Sequence, residues 1–217
     1  MMTMIALDGV SKSFGDKRVV DNVSLTVAAH ARVAILGPSG SGKTTLLHLI
    51  AGLEMPDEGT ISLGGRIVSG NGIFVPPYER RIGVVFQSAA LWPHMTVAGN
   101  ILFAIRDLPG MEQRQRLAYL LGKMGIAPLE HRYPGQISGG EARRVALARA
   151  LAPRPEILLF DEPLTSLDRP LVEDLLRLIT DSVRENGSTL VYVTHDKHEA
   201  DVVADTILRF ESGTIRK

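Results

Sequence analysis

The chain reads Gly37-Pro38-Ser39-Gly40-Ser41-Gly42-Lys43-Thr44 between an apolar run, Arg32–Leu36, and a helical pattern, Thr44–Leu53. This stretch fits G-x-x-x-x-G-K-[ST], the P-loop, which requires a strand before it and a helix after it. Its glycines allow backbone N–H groups to converge on phosphate oxygens, and the helix N-terminus adds its dipole. The sequence therefore predicts a phosphate-binding loop at this junction.

Polar side chains at the end of this loop suit the outer phosphates of a nucleotide. The Lys43 ammonium supplies a point charge for them, and the Thr44 hydroxyl is placed to bind Mg²⁺. Thr45 is included in the predicted nucleotide site. The alternative is a plain glycine turn that caps a helix, but strand, loop, Lys and Thr in this order favour a nucleotide site.

Two acids follow another apolar run, Ile157–Phe160. Asp161 at the strand end can orient the Mg²⁺ shell that a P-loop needs, and Glu162 can hold the attacking water as general base. The alternative is an acid pair at a helix N-terminus or at a solvated strand end. The P-loop upstream favours the catalytic interpretation.

A histidine ends a third apolar segment, Val191-Tyr192-Val193-Thr194-His195-Asp196. Ligands collect at the carboxyl ends of parallel strands, so His195 is expected near the phosphates. The alternative is a surface or helix-capping histidine. A metal pair with His198 is rejected, because no third ligand is evident in the sequence.

The apolar runs predict an α/β fold with a mainly parallel sheet. Four of them are apolar nearly throughout, which is typical of strands that are buried on both faces; they are Arg32–Leu36, Ile157–Phe160, Thr189–Val193 and Thr206–Phe210. A helical pattern over Pro170–Asn186, stopped by Gly187, separates two of these runs. Alternation of strands and helices indicates an α/β core.

Two regions depart from this alternation. Ile61–Val68 reads as a hairpin around Gly64-Gly65, and with the first strands it predicts a small antiparallel sheet. Thr96–Tyr133 contains no strand-like run, and its leucines recur at helical spacing. This region is predicted to be a mostly helical insertion.

Composition and hydropathy argue against several classes of protein. The 217 residues include 24 Lys and Arg, 24 Asp and Glu, and no cysteine, which argues against a strongly basic nucleic-acid binder and excludes disulfides. No stretch approaches the ~18 apolar residues of a membrane-spanning helix, and the N-terminus lacks a secretory signal. If the protein acts at a membrane, another chain must cross it.

A second glycine-containing motif lies upstream of Asp161. It reads Ile137-Ser138-Gly139-Gly140-Glu141 and is followed by a helical pattern over Ala142–Leu151. This segment resembles the signature motif and signature helix of the nucleotide-binding subunits of ABC transporters, and the resemblance covers the whole chain. It implies one ABC ATPase domain over residues 1–217, with a P-loop NTPase core, a small antiparallel β-subdomain, a helical signature subdomain at about 88–152 and no C-terminal regulatory domain.

The resemblance also assigns residues that spacing alone does not identify. Phe14 matches the aromatic that stacks on adenine, and Gln87, after the strand Gly83–Phe86, matches the glutamine that contacts the metal and communicates with the membrane subunit. Asp168 matches the D-loop aspartate, and His195 matches the switch histidine. Ser138, Gly139, Gly140 and Glu141 are expected at the nucleotide of a second copy.

This sequence departs from the family pattern at two places. The signature commonly reads L-S-G-G-Q, and here Ile137 and Glu141 replace its first and last residues. The D-loop commonly reads S-A-L-D, and here Thr165-Ser166 precede Leu167-Asp168. Glu141 brings a negative charge towards the expected γ-phosphate, but Ser138-x-x-Glu141 also fits a capping box.

The resemblance implies Mg²⁺-dependent ATP hydrolysis by a head-to-tail dimer of this chain, or of this chain with a homologous one. It implies an integral-membrane permease as partner, possible pairing with an extracytoplasmic binding protein, and a place at the cytoplasmic face of the inner membrane. Arg80–Gln87 and Leu91–Val97 look like bacterial importers of iron, molybdate, sulfate, polyamines or sugars. The alternative, a non-transport ABC ATPase of DNA repair, chromosomes or translation, lacks support, because no long coiled coil or second ATPase domain is present.

Overall fold

The computed structural model describes residues 2–216, which fold into two sheets with helices packed around them. The strands are β1 Thr3–Phe14, β2 Lys17–Ala28, β3 Arg32–Leu36, β4 Glu58–Leu63, β5 Arg66–Gly70, β6 Ile73–Phe74, β7 Ile82–Val85, β8 Ile157–Asp161, β9 Thr189–Thr194, β10 Thr206–Glu211 and β11 Thr214–Arg216. The α-helices are α1 Lys43–Ala51, α2 Val97–Phe103, α3 Gly110–Lys123, α4 Gly139–Leu151, α5 Arg169–Asn186 and α6 Lys197–Val203. Single 3-10 turns lie at Pro77–Glu79, Ala127–Leu129 and Pro134–Gln136.

The larger sheet has the strand order β11-β10-β3-β9-β8-β7. Its strands β10, β3, β9, β8 and β7 run parallel, and only β11 is antiparallel to its neighbour. Every residue of β8 and β9 is buried, as their continuous apolar sequences predict. The predicted α/β fold with a mainly parallel sheet is thus observed.

The prediction of burial on both faces was wrong for one strand, β10. Ile207 in this strand is 37% exposed, whereas Phe210 is fully buried. The reason is position: α6 packs against β3 and β9 near the centre of the sheet, and β10 lies one strand from the edge. An apolar residue at such a position can stay half in water, because burial does not follow from hydrophobicity alone.

The smaller sheet is antiparallel and has the order β2-β1-β4-β5-β6. Gly64 and Gly65 connect β4 to β5 with φ angles of 54° and 80°, the left-handed conformation that a two-residue hairpin turn requires. Buried side chains of this sheet, of α1 and of β3 form one continuous cluster. A second cluster joins α2–α5 to the opposite face of the large sheet.

Several element boundaries differ from the sequence prediction by one or two residues. Helix α1 begins at Lys43 and ends at Ala51, because Gly52 turns left-handed with φ 78°. Strand β7 begins and ends one residue earlier than predicted, at Ile82 and Val85. The region 96–133 holds α2, α3 and a 3-10 turn, in agreement with the predicted helical insertion.

None of the helices within residues 2–216 is both long enough and apolar enough to cross a lipid bilayer.

Candidate nucleotide site

The parallel register brings three strand ends to one edge of the large sheet. Leu36, the last residue of β3, pairs with Thr194 of β9, and Val193 pairs with Asp161 of β8. The P-loop, Glu162 and His195 each follow one of these strands directly. Residues that are more than 100 positions apart in the chain therefore meet at this edge, as the sequence predicted.

The P-loop wraps around the Lys43 ammonium. Lys43 Nζ donates to the carbonyl oxygens of Gly37 and Pro38, each at 2.9 Å, and the side chain is 3% exposed. A Cβ atom at Gly37 would lie 2.1 Å from Phe210 O, and one at Gly42, with φ 104°, would lie 2.4 Å from Val19 O. Glycine is therefore required at both ends of the loop.

Thr44 and Asp161 form a residue pair that suits a divalent cation. Thr44 Oγ1 donates to Asp161 Oδ1 at 2.9 Å, so a hydroxyl and a carboxylate oxygen lie side by side. Burial raises the pKa of Asp161 above its ordinary value, although hydrogen bonding from Thr44 and the charges of His48 and Lys43 act in the opposite direction. Oxygen donors of this kind fit Mg²⁺, and a nearby cation would stabilise the charged form of the Asp161 carboxylate.

Glu162 lies between two groups of the site. Its Oε1 is 3.5 Å from Lys43 Nζ, and its Oε2 is 3.0 Å from His195 Nδ1. The backbone of Glu162 has φ 43°, a left-handed conformation that costs roughly 1–3 kcal/mol for a residue with a side chain and is common at functional sites. Thr165 Oγ1 donates to the Glu162 carbonyl oxygen at 3.1 Å, which helps to hold this turn.

Lys43, Thr44 and Glu162 line a cavity of about 330 Å³, whereas Asp161 and His195 are not part of its lining. Its lining consists of Val19, Ser39, Gly40, Gly42, Lys43, Thr44, Thr45, Gln87 and Glu162. The cavity thus unites the P-loop, Thr45 and Gln87, all of which were named from the sequence. The hydroxyl oxygen of Ser41 is also buried and has no hydrogen-bond partner within the described residues. A buried polar atom without a partner is uncommon, and it suits a loop that binds a polar ligand.

Other predicted site residues lie outside this cavity. Phe14 is 48% exposed at the end of β1, with Lys12 Nζ 5.4 Å above its ring. Asp168 is the exposed N-cap residue of α5, and its side chain makes no capping hydrogen bond. The segment 138–141 shares no lining with the P-loop cavity. Within residues 2–216, the structure does not bring these three features to the cavity.

The signature segment satisfies its own helix N-terminus. Ser138 N and Ser138 Oγ donate to Glu141 Oε2 at 2.7 and 2.9 Å, and Glu141 N donates to Ser138 Oγ at 3.3 Å. The predicted capping box is therefore present. These hydrogen bonds from Ser138 lower the pKa of Glu141, so its carboxylate stays charged.

Sequence reasoning missed two residues near the site. Val19 on β2 lines the cavity beside Gly42, and a valine in a strand carries no sign of this. Glu199 is buried and accepts hydrogen bonds from the hydroxyls of Tyr192 at 2.9 Å and Thr194 at 2.8 Å, beneath the turn that carries His195. An acid in the first turn of a helix is normally read as a solvated charge, so its burial gave no signal in the sequence.

The fold and the site together define a P-loop NTPase: a mainly parallel sheet whose carboxyl edge carries a phosphate loop, a paired Thr and Asp, and a glutamate beside a histidine. The sequence profile described as "ABC transporter" matches residues 20–165, more than half of the 217 residues. The chain belongs to the ABC transporter family.

Individual relatives and solved structures agree with this assignment. The chain is 44% identical over 215 residues to an "Fe(3+) ions import ATP-binding protein FbpC" of Streptomyces coelicolor, with 98% of this chain and 61% of the relative covered. It is 47% identical over 218 residues to a "Sulfate/thiosulfate import ATP-binding protein CysA" of Thermosynechococcus vestitus, with 98% and 63% covered. The chain thus spans about three fifths of the length of these relatives.

A solved structure supports the fold over the full chain. The ATP-binding cassette MJ0796, in a dimeric post-hydrolysis state bound to ADP and Pi, superposes with a TM-score of 0.87 at 33% identity. The alignment covers 99% of this chain and 97% of that one. The predicted fold class and family are both confirmed.

Proposed function

We propose that this chain is the ATP-binding and ATP-hydrolysing subunit of a bacterial ABC importer. The position of Glu162, between the Lys43 ammonium and the His195 ring, carries the proposal. A carboxylate held at the cavity in this way is placed to take a proton from water at the γ-phosphate. A chain that only bound nucleotide would not need a base there.

Each group of the site has a separate role in ATP hydrolysis. The backbone N–H groups of the P-loop and Lys43 bind the outer phosphates and stabilise the charge that develops on them. Glu162 orients water and accepts its proton. His195, as a neutral donor or as a cation, holds Glu162 Oε2 and can contact the γ-phosphate. Phe14 would stack on the adenine ring.

Thr44, Asp161 and Gln87 are the residues that would hold Mg²⁺. Their oxygen donors suit a hard cation, and Thr44 and Asp161 are already paired at 2.9 Å. When bound, the ion neutralises charge on the phosphate oxygens during transfer. The fit rests on the donor types and on the raised pKa of Asp161, which a nearby cation would lower.

A second chain would complete the site. Ser138, Gly139, Gly140 and Glu141 form a helix N-terminus, which suits phosphate, yet they lie away from the P-loop cavity of their own chain. In a head-to-tail dimer they would face the nucleotide of the partner copy, with Asp168 at the interface. The dimeric state of the similar cassette MJ0796 supports this arrangement.

The energy of dimer closure would drive a permease, with the chain bound at the cytoplasmic face of the membrane. The support is the import function in the names of the similar iron and sulfate proteins. Those names differ in cargo, so the substrate is not assigned. An extracytoplasmic binding protein would deliver it, and no role with nucleic acid is proposed.

Hydrolysis by the purified chain and its Glu162→Gln variant tests the proposal. Loss of a positioned general base is expected to lower the turnover rate by ~10²–10⁴, while ATP binding persists. Glu156→Gln, an exposed acid before β8, is the matched control and should keep full turnover. Turnover by Glu162→Gln close to that of the wild type would refute the assignment, and absence of turnover in the wild type would refute the proposed activity.

A further inference from the structure

Two arginines of helix α4 bind the main chain on both sides of Gln87. Arg143 Nη1 donates to Phe86 O at 3.2 Å, and Arg149 donates to Ala90 O at 2.7 Å and to Ala89 O at 3.2 Å. Three carbonyl groups around Gln87 are therefore held by the helix that begins just after Ser138. Neither the P-loop motif nor the signature motif accounts for these contacts.

Neither arginine has an acidic partner. No ion pair within 4.0 Å among residues 2–216 includes Arg143 or Arg149. Burial lowers the pKa of both guanidinium groups. These carbonyls compensate part of the charge, and losing the contacts would leave partly buried donors without a protein partner.

Arg144 on the same helix shows the ordinary arrangement. It donates to Met124 O at 2.8 Å and forms an ion pair with Asp174 on α5. That pair ties α4 to its neighbouring helices and does not reach the Gln87 segment. Arg144 is thus a built-in comparison for Arg143 and Arg149.

The segment after Gln87 is fixed firmly to the helical region. Asn100, which is fully buried, accepts from Trp92 N at 2.8 Å and donates to Trp92 O at 3.2 Å. The centroid of the Trp92 ring lies 5.0 Å from the Arg149 guanidinium carbon and 4.6 Å from the centroid of the Phe103 ring. Ala90 has φ 44°, a left-handed backbone that residues other than glycine rarely adopt, at the carbonyl that Arg149 holds.

The Gln87 segment therefore connects two functional regions. Gln87 itself lines the nucleotide cavity, and its neighbours are bound by α4, whose first residues form the signature segment. A displacement of Gln87 would move these carbonyls and, with them, the guanidinium groups that donate to them. The connection is a series of direct contacts between neighbouring residues.

We infer that Arg143 and Arg149 are positioning residues, which transmit the state of Gln87 in the nucleotide cavity to the signature segment of the same chain. The inference rests on the proposed function, because the signature segment would contact the nucleotide of a partner copy. Occupancy of one nucleotide site would thus set the orientation of Ser138 at the other site.

The test uses the absence of cysteine from the chain. Gly135→Cys introduces one labelling position just before the signature, where a Cβ atom would meet nothing within 4 Å. A fluorophore there reports on the signature segment, and Trp92, the only tryptophan, reports on the Gln87 segment. The probe is a non-hydrolysable ATP analogue with Mg²⁺, added at a protein concentration at which the chain is monomeric.

In the wild type, the analogue should change both signals. In the Arg143→Met Arg149→Met variant, the label response should be lost, and the analogue concentration needed for dimer formation should rise by roughly 5–150-fold, the usual range of coupling between sites. Analogue affinity of the monomer should be unchanged. Arg149→Lys, which keeps the charge but can reach only one of the two carbonyls, should give an intermediate response.

Arg144→Met is the matched control and should keep the label response. A response that persists in the double variant, or that Arg144→Met abolishes equally, overturns the inference. So does a wild-type label that ignores an analogue shown by titration to bind. If the double variant melts below the assay temperature, Arg143→Met alone carries the test, since it loses a single hydrogen bond. Failure of the proposed function would appear separately, as absence of ATP hydrolysis by the unlabelled wild type.

Discussion

The two helix ends that suit phosphate, at α1 and at α4, are built in opposite ways. At α1 the N-cap is Gly42, no side chain caps the helix, and the buried hydroxyl of Ser41 has no partner within the described residues. At α4 the N-cap is Ser138, and the capping box with Glu141 already uses donors at this end. One helix end is thus kept open for an external anion, whereas the other is stabilised by its own side chains.

The difference shows which parts of the molecule surround the phosphate site at each helix end. The α1 end is enclosed by strand ends from its own chain, so its ligand site exists before any partner binds. The α4 end is exposed, and its own side chains already satisfy donors at the helix N-terminus. Under the proposed function, the P-loop of a second copy would supply the other phosphate-binding face at this end.

The largest effect is expected from mixing two inactive variants, Lys43→Ala and Ser138→Arg. Each pure dimer has two damaged sites, because one breaks both P-loops and the other breaks both signatures. A mixed dimer has one site with both lesions and one site with intact Lys43 and intact Ser138. It should therefore trap ATP at one site per dimer, starting from a background of none.

Trapped radiolabelled ATP is the measurement, in mixed dimers isolated through two different affinity tags. Both chains also carry Glu162→Gln, so that hydrolysis does not release the nucleotide. If α1 and α4 served one nucleotide within a single chain, every chain would carry a lesion and mixing would restore nothing. Trapping no higher than in the pure variants, with mixed dimers present, would contradict the comparison of the two ends.

The second effect separates function from stability at the α1 end. Asp161→Asn should lower Mg²⁺-dependent hydrolysis by ~10–100-fold, as loss of a residue that orients a metal shell does. The same change should raise the stability of the nucleotide-free chain at neutral pH. The pKa of Asp161 is raised in the folded state, so its charged form opposes folding there.

The sign of this stability effect gives the control. The folded state binds the proton more tightly than the unfolded state, so wild-type stability falls as the pH rises from 3.8 through the raised pKa. The stability gain of Asp161→Asn should thus shrink as the pH is lowered towards 3.8, and urea melts at several pH values measure it. A gain that is independent of pH would show that the charge is not its cause.

The smallest effect compares two serines, one at each helix end. Ser138→Ala should destabilise the free chain by about 1 kcal/mol, because it removes the N-cap acceptor and one half of the capping box. Ser41→Ala should cost almost nothing, since it removes a buried hydroxyl with no partner in the described chain. Equal losses in urea melts of the two variants would show that the ends do not differ as described.

The sequence alone determined the features that depend on residues close together in the chain. Three local patterns are present in the structure: the strand, glycine loop and helix from Arg32 onwards, the two acids at the end of β8, and the capping box Ser138-x-x-Glu141. The alternation of apolar runs with helical patterns indicated the α/β fold for the same reason.

Tertiary structure alone decided the features that need contacts between distant segments. Four features have no local signature in the sequence: the burial of Glu199, the half-exposure of β10, the place of Val19 in the cavity lining and the arginine contacts around Gln87. A short motif records what its neighbours along the chain can do, whereas burial and hydrogen-bond partners depend on which surfaces packing brings together. That is why the chemistry of this site could be read along the chain, but its connection to the signature helix could not.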